Sequence, residues 1–319
     1  MSILSDFEIL KRVLIGELIL LNMERKELGH KNKDIAEKIK DIEDSILNLL
    51  KNYHNRKWEE IKEEYKKVKE DDNKISSELE RNLRLNRKKL RMDLIKKIAE
   101  DIKNKRKKLE DYVQEYISLE EHKKTTLPIF IDDFDINNLQ SANYDLRVGK
   151  RVYTTEKEYP IELSTKTHGT MIKIEPGSFG LFLTYEYIFL PQDIYGLISL
   201  RFRYKIRGLV NVSGFHIDPG YHGQILFGVY NSGPSEIILE YKRPTFMITF
   251  LEIAEGGVKE IYKGESFEEI PPKYIEQLRG PPVSLKEVHD RLEKLETHFK
   301  YIVSMLIAII AGIIVALVT

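Results

Sequence analysis

The chain changes its grammar near residue 125, and that change limits the folds open to it. Residues 6–121 contain no proline, and their apolar residues recur at helical spacing. Ile35, Ile39, Ile42, Ile46 and Leu49 step by four, three, four and three, the seam of a coiled coil. A second stripe carries Leu83, Leu90, Leu94, Ile98, Ile102, Leu109, Val113 and Tyr116, which predicts a long helix. Asn52 to Asn55 and Asp71-Asp72-Asn73 are the expected breaks before it. The stretch from Ile9 to Met23 is apolar on most sides but holds Lys11, Arg12 and Glu17. Three charges disfavour a span through lipid, so it is expected to be the central helix of a bundle.

Beyond residue 124, turn chemistry takes over in Glu175-Pro176-Gly177, Asp218-Pro219-Gly220 and Asn231-Ser232-Gly233-Pro234. Between the turns lie short runs rich in β-branched and aromatic residues, at 170–174, 180–185, 195–202, 224–230 and 245–253. Many short strands at this spacing predict a compact all-β barrel or sandwich. The whole chain is therefore read as α+β and multidomain. A helical coiled coil or bundle fills residues 1–125 and a β-barrel domain residues 126–283.

The last part has two pieces. Leu285, Val288, Leu292, Leu295, Phe299 and Ile302 form a heptad run, so residues 284–300 are expected to be a coiled-coil linker. Residues 301–319 then carry no charge and six isoleucines. As a helix they would reach roughly 27 Å, near the thickness of bilayer hydrocarbon. Arg291, Lys294 and Lys300 precede this run. The expectation is a single-pass, C-terminal membrane anchor with the body in the cytoplasm.

Composition adds exclusions. Lysine plus arginine equals aspartate plus glutamate at 51 each, so bulk charge selects no partner. Cysteine is absent, which removes disulfides, thiolate zinc sites and a thiol nucleophile. The opening residues carry acids early and show no secretory signal pattern. Residues 81–108 hold thirteen basic residues against three acidic ones. That run reads as a solvated helix face, or as a surface for nucleic acid or anionic headgroups; no aromatic side chains interleave with it.

Six segments in the second half stand in one order: Ala142-Asn143-Tyr144-Asp145-Leu146-Arg147-Val148-Gly149; Ile174-Glu175-Pro176-Gly177; Leu200-Arg201 through Arg207-Gly208-Leu209; His216-Ile217-Asp218-Pro219-Gly220-Tyr221-His222-Gly223; Tyr230-Asn231-Ser232-Gly233; and Arg243-Pro244. Across about residues 127–282 this pattern resembles the dCTP deaminases and the trimeric dUTPases related to them. The resemblance implies a distorted β-barrel of the dUTPase-like β-clip kind, a homotrimer, and sites for a deoxynucleoside triphosphate with Mg²⁺ between subunits. It places Asp218 on the dUTPase carboxylate and Tyr221 on the aromatic that packs against deoxyribose. Arg201 falls at the opening of the phosphate turn. Gly223 belongs to the same Asp-Pro-Gly turn, and Gln277 lies in a tail similar to the one that closes over nucleotide, together with Arg279-Gly280-Pro281.

The resemblance also marks departures. The small residues expected after Arg201 are Phe202 and Arg203, the deaminase glutamate aligns with Gly228, and Phe250 replaces an expected glutamine. Deamination by the family route needs the missing carboxylate as a proton shuttle. The expected function is thus a membrane-anchored, deaminase-inactive module that binds nucleotide or scaffolds partners. The first alternative is a dUTP diphosphatase using Asp218 as base. The second is a nucleic-acid- or partner-binding protein acting through the basic helix. Asp218 has a structural reading too, because Asp at the first position caps such a turn. His216 and His222 flank it too loosely to specify a metal.

Overall fold

The computed structural model describes residues 2–29, 32–52, 56–83, 85–117, 126–164, 169–254, 257–278 and 285–318. A short strand β1 (Ser2–Ile3) leads into α1 (Asp6–Gly29), α2 (Lys33–Asn52), α3 (Trp58–Leu83), α4 (Arg87–Lys103) and α5 (Leu109–Tyr116). Asp6 and Glu8 sit in the first turn of α1, where the helix dipole favours acids. The seam on α2 is buried from Ile35 to Leu49, against α1 and α3.

Two helix boundaries differ from expectation. α3 runs straight through Asp71-Asp72-Asn73, because Asp72 turns inward and meets Arg87 at 2.7 Å instead of capping a turn. The predicted long helix is split after Lys103, and Lys105 takes a positive φ of 55°. Asn86 opens α4 by accepting from the Lys89 amide, a regular N-cap.

Strands follow: β2 (Phe130–Ile131), β3 (Tyr144–Thr154), β4 (Ile161–Glu162), β5 (Met171–Ile174), β6 (Phe179–Phe189) and β7 (Ile194–Leu200). A one-turn helix α6 (Phe202–Lys205) precedes β8 (Leu209–Asn211), β9 (His216–Ile217), β10 (His222–Asn231), β11 (Ile237–Glu240) and β12 (Pro244–Glu252). The chain ends with α7 (Pro272–Leu278) and α8 (Leu285–Val318). The main sheet is antiparallel, in the order β8-β10-β6-β3-β12-β7-β9, and curls into a half-barrel. β1 pairs β12, β2 pairs β6 and β4 pairs β3, while β5 and β11 form a separate ribbon. β6 and β10 are buried at most positions.

The helices and the sheet share one apolar core. It runs from Ile9 to Leu28 on α1 into Phe130, Phe189, Tyr144 and Phe246 of the sheet. Contact is close where Gly16 faces the chain before β2, since a Cβ there would stand 2.7 Å from the Ile129 oxygen. Arg12 fastens the same joint while only 1 % exposed. Its guanidinium donates to Asp193 (2.7 Å), to Glu252 (2.7 Å) and to the Leu127 carbonyl (3.0 Å). The boundary expected at residues 125 and 126 falls at the edge of 118–125, which lie outside the described residues, as does the one expected at 283 and 284.

α8 is one continuous helix through the expected linker and anchor. Among the described residues it is the helix long and apolar enough, by length and composition, to cross a membrane. Its side chains from Tyr301 to Gly312 pack against nothing in the body.

Candidate functional site

The expected site residues cluster where β7 ends, where the Asp-Pro-Gly turn joins β9 to β10, and where α7 lies over the sheet. Arg201 follows β7, and its amide bonds to the Thr245 carbonyl at 2.9 Å. Its guanidinium meets Asp145 at 3.0 Å, and among the described residues it makes no ion pair with Asp218. Burial raises the Asp145 carboxyl and Arg201 opposes that shift. Arg201 is thus tied to β3.

Phe202 opens α6 and exposes 74 % of its surface, so it faces solvent and not the core. The amides of Tyr204 and Lys205 both bond to the Arg201 carbonyl. Residues 202–205 thus form one helical turn directly after Arg201.

The Asp-Pro-Gly turn closes through the Tyr221 amide and the Asp218 carbonyl at 3.1 Å, and Gly220 takes a φ of 86°. The Asp218 side chain stays half-exposed, with His216 Nε2 3.9 Å away. His216 stacks on Tyr195, while His222 turns to the Ser266 hydroxyl at 3.3 Å. Burial, then the nearby Lys103, lower the His222 imidazole below its ordinary value. Tyr221 is buried, donates its hydroxyl to the Gln224 carbonyl at 2.6 Å and packs on Tyr262. Gly223 takes a φ of 142°, and a Cβ there would stand 3.0 Å from the Phe267 amide nitrogen. The tail thus lies directly on this turn.

Gln277, exposed on α7, shares a cavity of about 290 Å³ with Gly228. Phe179, Leu181, Val212, Leu226 and Phe267 are among the apolar residues of its wall. Gly228 pairs with Leu181 across β6. A Cβ at 228 would meet Ser213 at 3.3 Å and Val212 at 3.5 Å. The structure brings Tyr221 and Gly223 together in one turn and Gln277 together with Gly228; Arg201 stands apart from both. Arg279-Gly280-Pro281 lies outside the described residues.

Sequence reasoning missed two polar centres. Glu186 is fully buried and accepts from Arg147 Nε at 2.6 Å and from the Arg147 amide at 3.0 Å. Burial raises the Glu186 carboxyl against the pull of Arg147. The second centre gathers Glu17, Glu24, Asp72, Arg87, Arg91 and Asp132 between α1, α3, α4 and the chain after β2. The signal for it was an acid doublet, Asp132-Asp133, directly behind the apolar strand β2. It withdraws Arg87 and Arg91 from the basic run, which is therefore not a uniformly solvated face.

A family model described as dCTP deaminase-like matches residues 116–253. The dCTP deaminase of Pyrococcus abyssi is 36% identical over 136 residues, covering 43% of this chain and 84% of that protein. The chain belongs to the dCTP deaminase-like family. A second such relative, the dCTP deaminase of Thermococcus sibiricus, is 34% identical over 43% of this chain and 83% of its own length. Among solved structures, the 2′-deoxycytidine 5′-triphosphate deaminase of Agrobacterium tumefaciens is similar with a TM-score of 0.33 and 18% identity. That match covers 38% of this chain and 42% of the other. The EIAV dUTPase matches with a TM-score of 0.28 and 20% identity, over 40% and 88%. The deaminase-like match takes in the whole sheet from β2 to β12. It leaves α1 to α4, α7 and α8 outside.

Proposed function

We propose that this deaminase-like chain is a membrane-anchored homotrimer that holds a deoxynucleoside triphosphate, or scaffolds a partner, without deaminating its ligand. One observation carries the reading: the position aligned with the family's glutamate is Gly228, in a cavity walled mainly by apolar side chains. Deamination needs a carboxylate beside a water to shuttle protons, and no carboxylate lines that cavity among the described residues. The Arg201–Asp145 pair weakens a phosphate cradle in the same direction, because the guanidinium is already engaged.

The trimer is supported by an uncovered apolar face. Phe202, Ile206, Val210, Val212 and Phe215 are all exposed in the single chain. Apolar patches of this kind mark surfaces that other chains cover. The anchor is supported by α8, whose side chains from Tyr301 to Gly312 are exposed. The helices α1 to α5 are where a protein partner would dock.

Mg²⁺ enters this reading only with the phosphates. Among the described residues no three histidine or acidic side chains converge to hold a metal. Asp218 alone, open to solvent, does not make a resident site.

The test uses the full chain in detergent micelles with dCTP, dUTP and other deoxynucleotides, each with Mg²⁺. A ligand bound by the native state raises the melting temperature. The reading expects such a shift without turnover of dCTP or dUTP. A flat panel leaves the scaffold branch, while dCTP deamination removes the proposal.

A second reading, dUTP diphosphatase, is favoured by one feature. Asp218 is half-exposed and, among the described residues, pairs no more closely than 3.9 Å with His216, so its carboxylate is open to orient a water. Rapid dUTP hydrolysis that disappears in Asp218→Ala would establish that reading instead.

A further inference from the structure

α8 carries an apolar stripe that stays open in the single chain. Val288, Leu292, Leu295, Phe299 and Ile302 step by four, three, four and three along the helix, and each exposes between 40 % and 67 % of its surface. Asp290, Arg291, Glu293, Lys294, Glu296 and Lys300 interleave with the stripe. So many charges keep this part of the helix in water, ahead of the uncharged run that follows, so lipid does not cover it. An apolar stripe held in water calls for protein.

The charges beside the stripe say which protein. Steps of three and four place Leu285, Leu292 and Phe299 at heptad position a and Val288, Leu295 and Ile302 at position d. Arg291 then falls at g and Glu296 at the following e, and both are exposed. In a parallel coil, a g residue faces the next e residue of the neighbouring helix, so Arg291 of one copy meets Glu296 of another. Within one helix the two stand five residues apart, outside the spacing of three or four at which side chains meet. An antiparallel pairing sets g against g and loses the match. The stripe is thus complementary to itself, in one direction.

The core residues also select a number of helices. Leucine at a with β-branched residues at d, here Leu285 and Leu292 with Val288 and Ile302, shifts preference from two strands towards three or four. About two and a half heptads are too short to associate alone. A shared membrane supplies what is missing, because it aligns the copies and raises their local concentration.

We infer that the stripe on α8 is an interface between copies of this chain, a parallel coil of three helices fixed by Arg291–Glu296 pairs between neighbours. The inference rests on the anchored homotrimer proposed above and adds to it a second contact, remote from the sheet. The three chains then meet on one axis just outside the bilayer.

The chain has no cysteine, so single cysteines introduced into it report cleanly. The full chain is reconstituted in phosphatidylcholine vesicles carrying either Leu295→Cys, at d, or Thr297→Cys, at the outward position f, and oxidised with copper phenanthroline. Thr297 is exposed, and its hydroxyl bonds to the Glu293 carbonyl of its own helix. A disulfide needs close approach of two cysteines, so chains should cross-link about tenfold faster through position 295 than through position 297. Adding Arg291→Glu to Leu295→Cys slows cross-linking by about threefold, since exposed pairs are individually weak. Adding Glu296→Arg as well restores the rate. Light scattering from the cysteine-free chain in detergent micelles counts chains per particle and so reads the homotrimer separately. Three chains per particle with equal rates at 295 and 297 overturns this inference and leaves the homotrimer standing. One chain per particle overturns both. Failure of Glu296→Arg to restore the rate overturns the paired, parallel register.

Discussion

The joint between helices and sheet and the face around Gly228 are opposites. The joint buries Arg12, Arg87, Arg91, Glu17, Glu24 and Asp72 in interlocking pairs. The Gly228 face is walled mainly by apolar side chains, with Ser213 and Gln277 among its few polar groups. In a family named for its chemistry, the costly buried charge of this chain sits where an added helical region is held on. It does not sit in the Gly228 cavity, which no acidic side chain lines among the described residues. Buried ion pairs add little net stability, but removing one partner strands the other. They therefore enforce one docking geometry, whereas an apolar cavity tolerates change.

The contrast can be broken most severely at the joint. Arg91→Ala leaves Glu17 and Asp132 without their guanidinium and should cost about 3–5 kcal/mol. Denaturant unfolding followed both by helical circular dichroism and by hydrogen exchange of the amides of β6 and β10 checks it. If the joint is as described, helices and sheet lose stability in one transition. Separate transitions would show two independent units.

Gly228→Glu puts a carboxylate back on the other face. The cavity must accommodate a charge beside Val212 and Leu181, so a loss of about 1–3 kcal/mol is expected. No dCTP turnover should appear, because Arg201 and the turn at Phe202 are unchanged. Turnover in that variant would mean that one residue alone separates this chain from its active relatives.

Asp132→Asn sharpens the comparison through pH. Burial, then the adjacent Asp133, push the carboxyl up to about 7 in the folded chain, from the ordinary aspartate value of 3.8. The folded state thus holds a proton that the unfolded state has already released. Stability falls as pH rises from about 4 to about 7, and the full penalty persists above 7. The asparagine variant escapes it, gaining about 1–2 kcal/mol at pH 8 and nothing near pH 4. Melting temperatures of both proteins across that range decide it. Gln277→Ala is the mildest change, within about 0.5 kcal/mol because the side chain is exposed. It should still shrink any nucleotide-induced rise in melting temperature.

Much of the fold was legible because periodicity reports which face is buried. The seam on α2, the strands and the Asp-Pro-Gly turn all follow from spacing and turn residues. The joint was not legible, for a physical reason. Arg87 and Arg91 look like any surface cations on a basic helix, and only their partners on α1 and α3 reveal them as interior. For the same reason Asp72 read as a turn former. At the candidate site, the departures at Phe202 and Gly228 were visible by position. That Arg201 is held by Asp145, and Tyr221 covered by Tyr262, depends on contacts across the chain that no local pattern encodes.

The joint made by Arg12 also sets a timetable. Its partners include Glu252, 240 residues further along, and β1 pairs with β12. During synthesis at about 5–20 residues per second, α1 waits on the order of 12–50 s before the second half of its socket exists. Throughout that interval an apolar helix with a buried-type arginine has no finished place to go. Its early neighbours are α2 and α3, which gives the seam on α2 a second duty: sheltering α1 until the last strand of the sheet arrives.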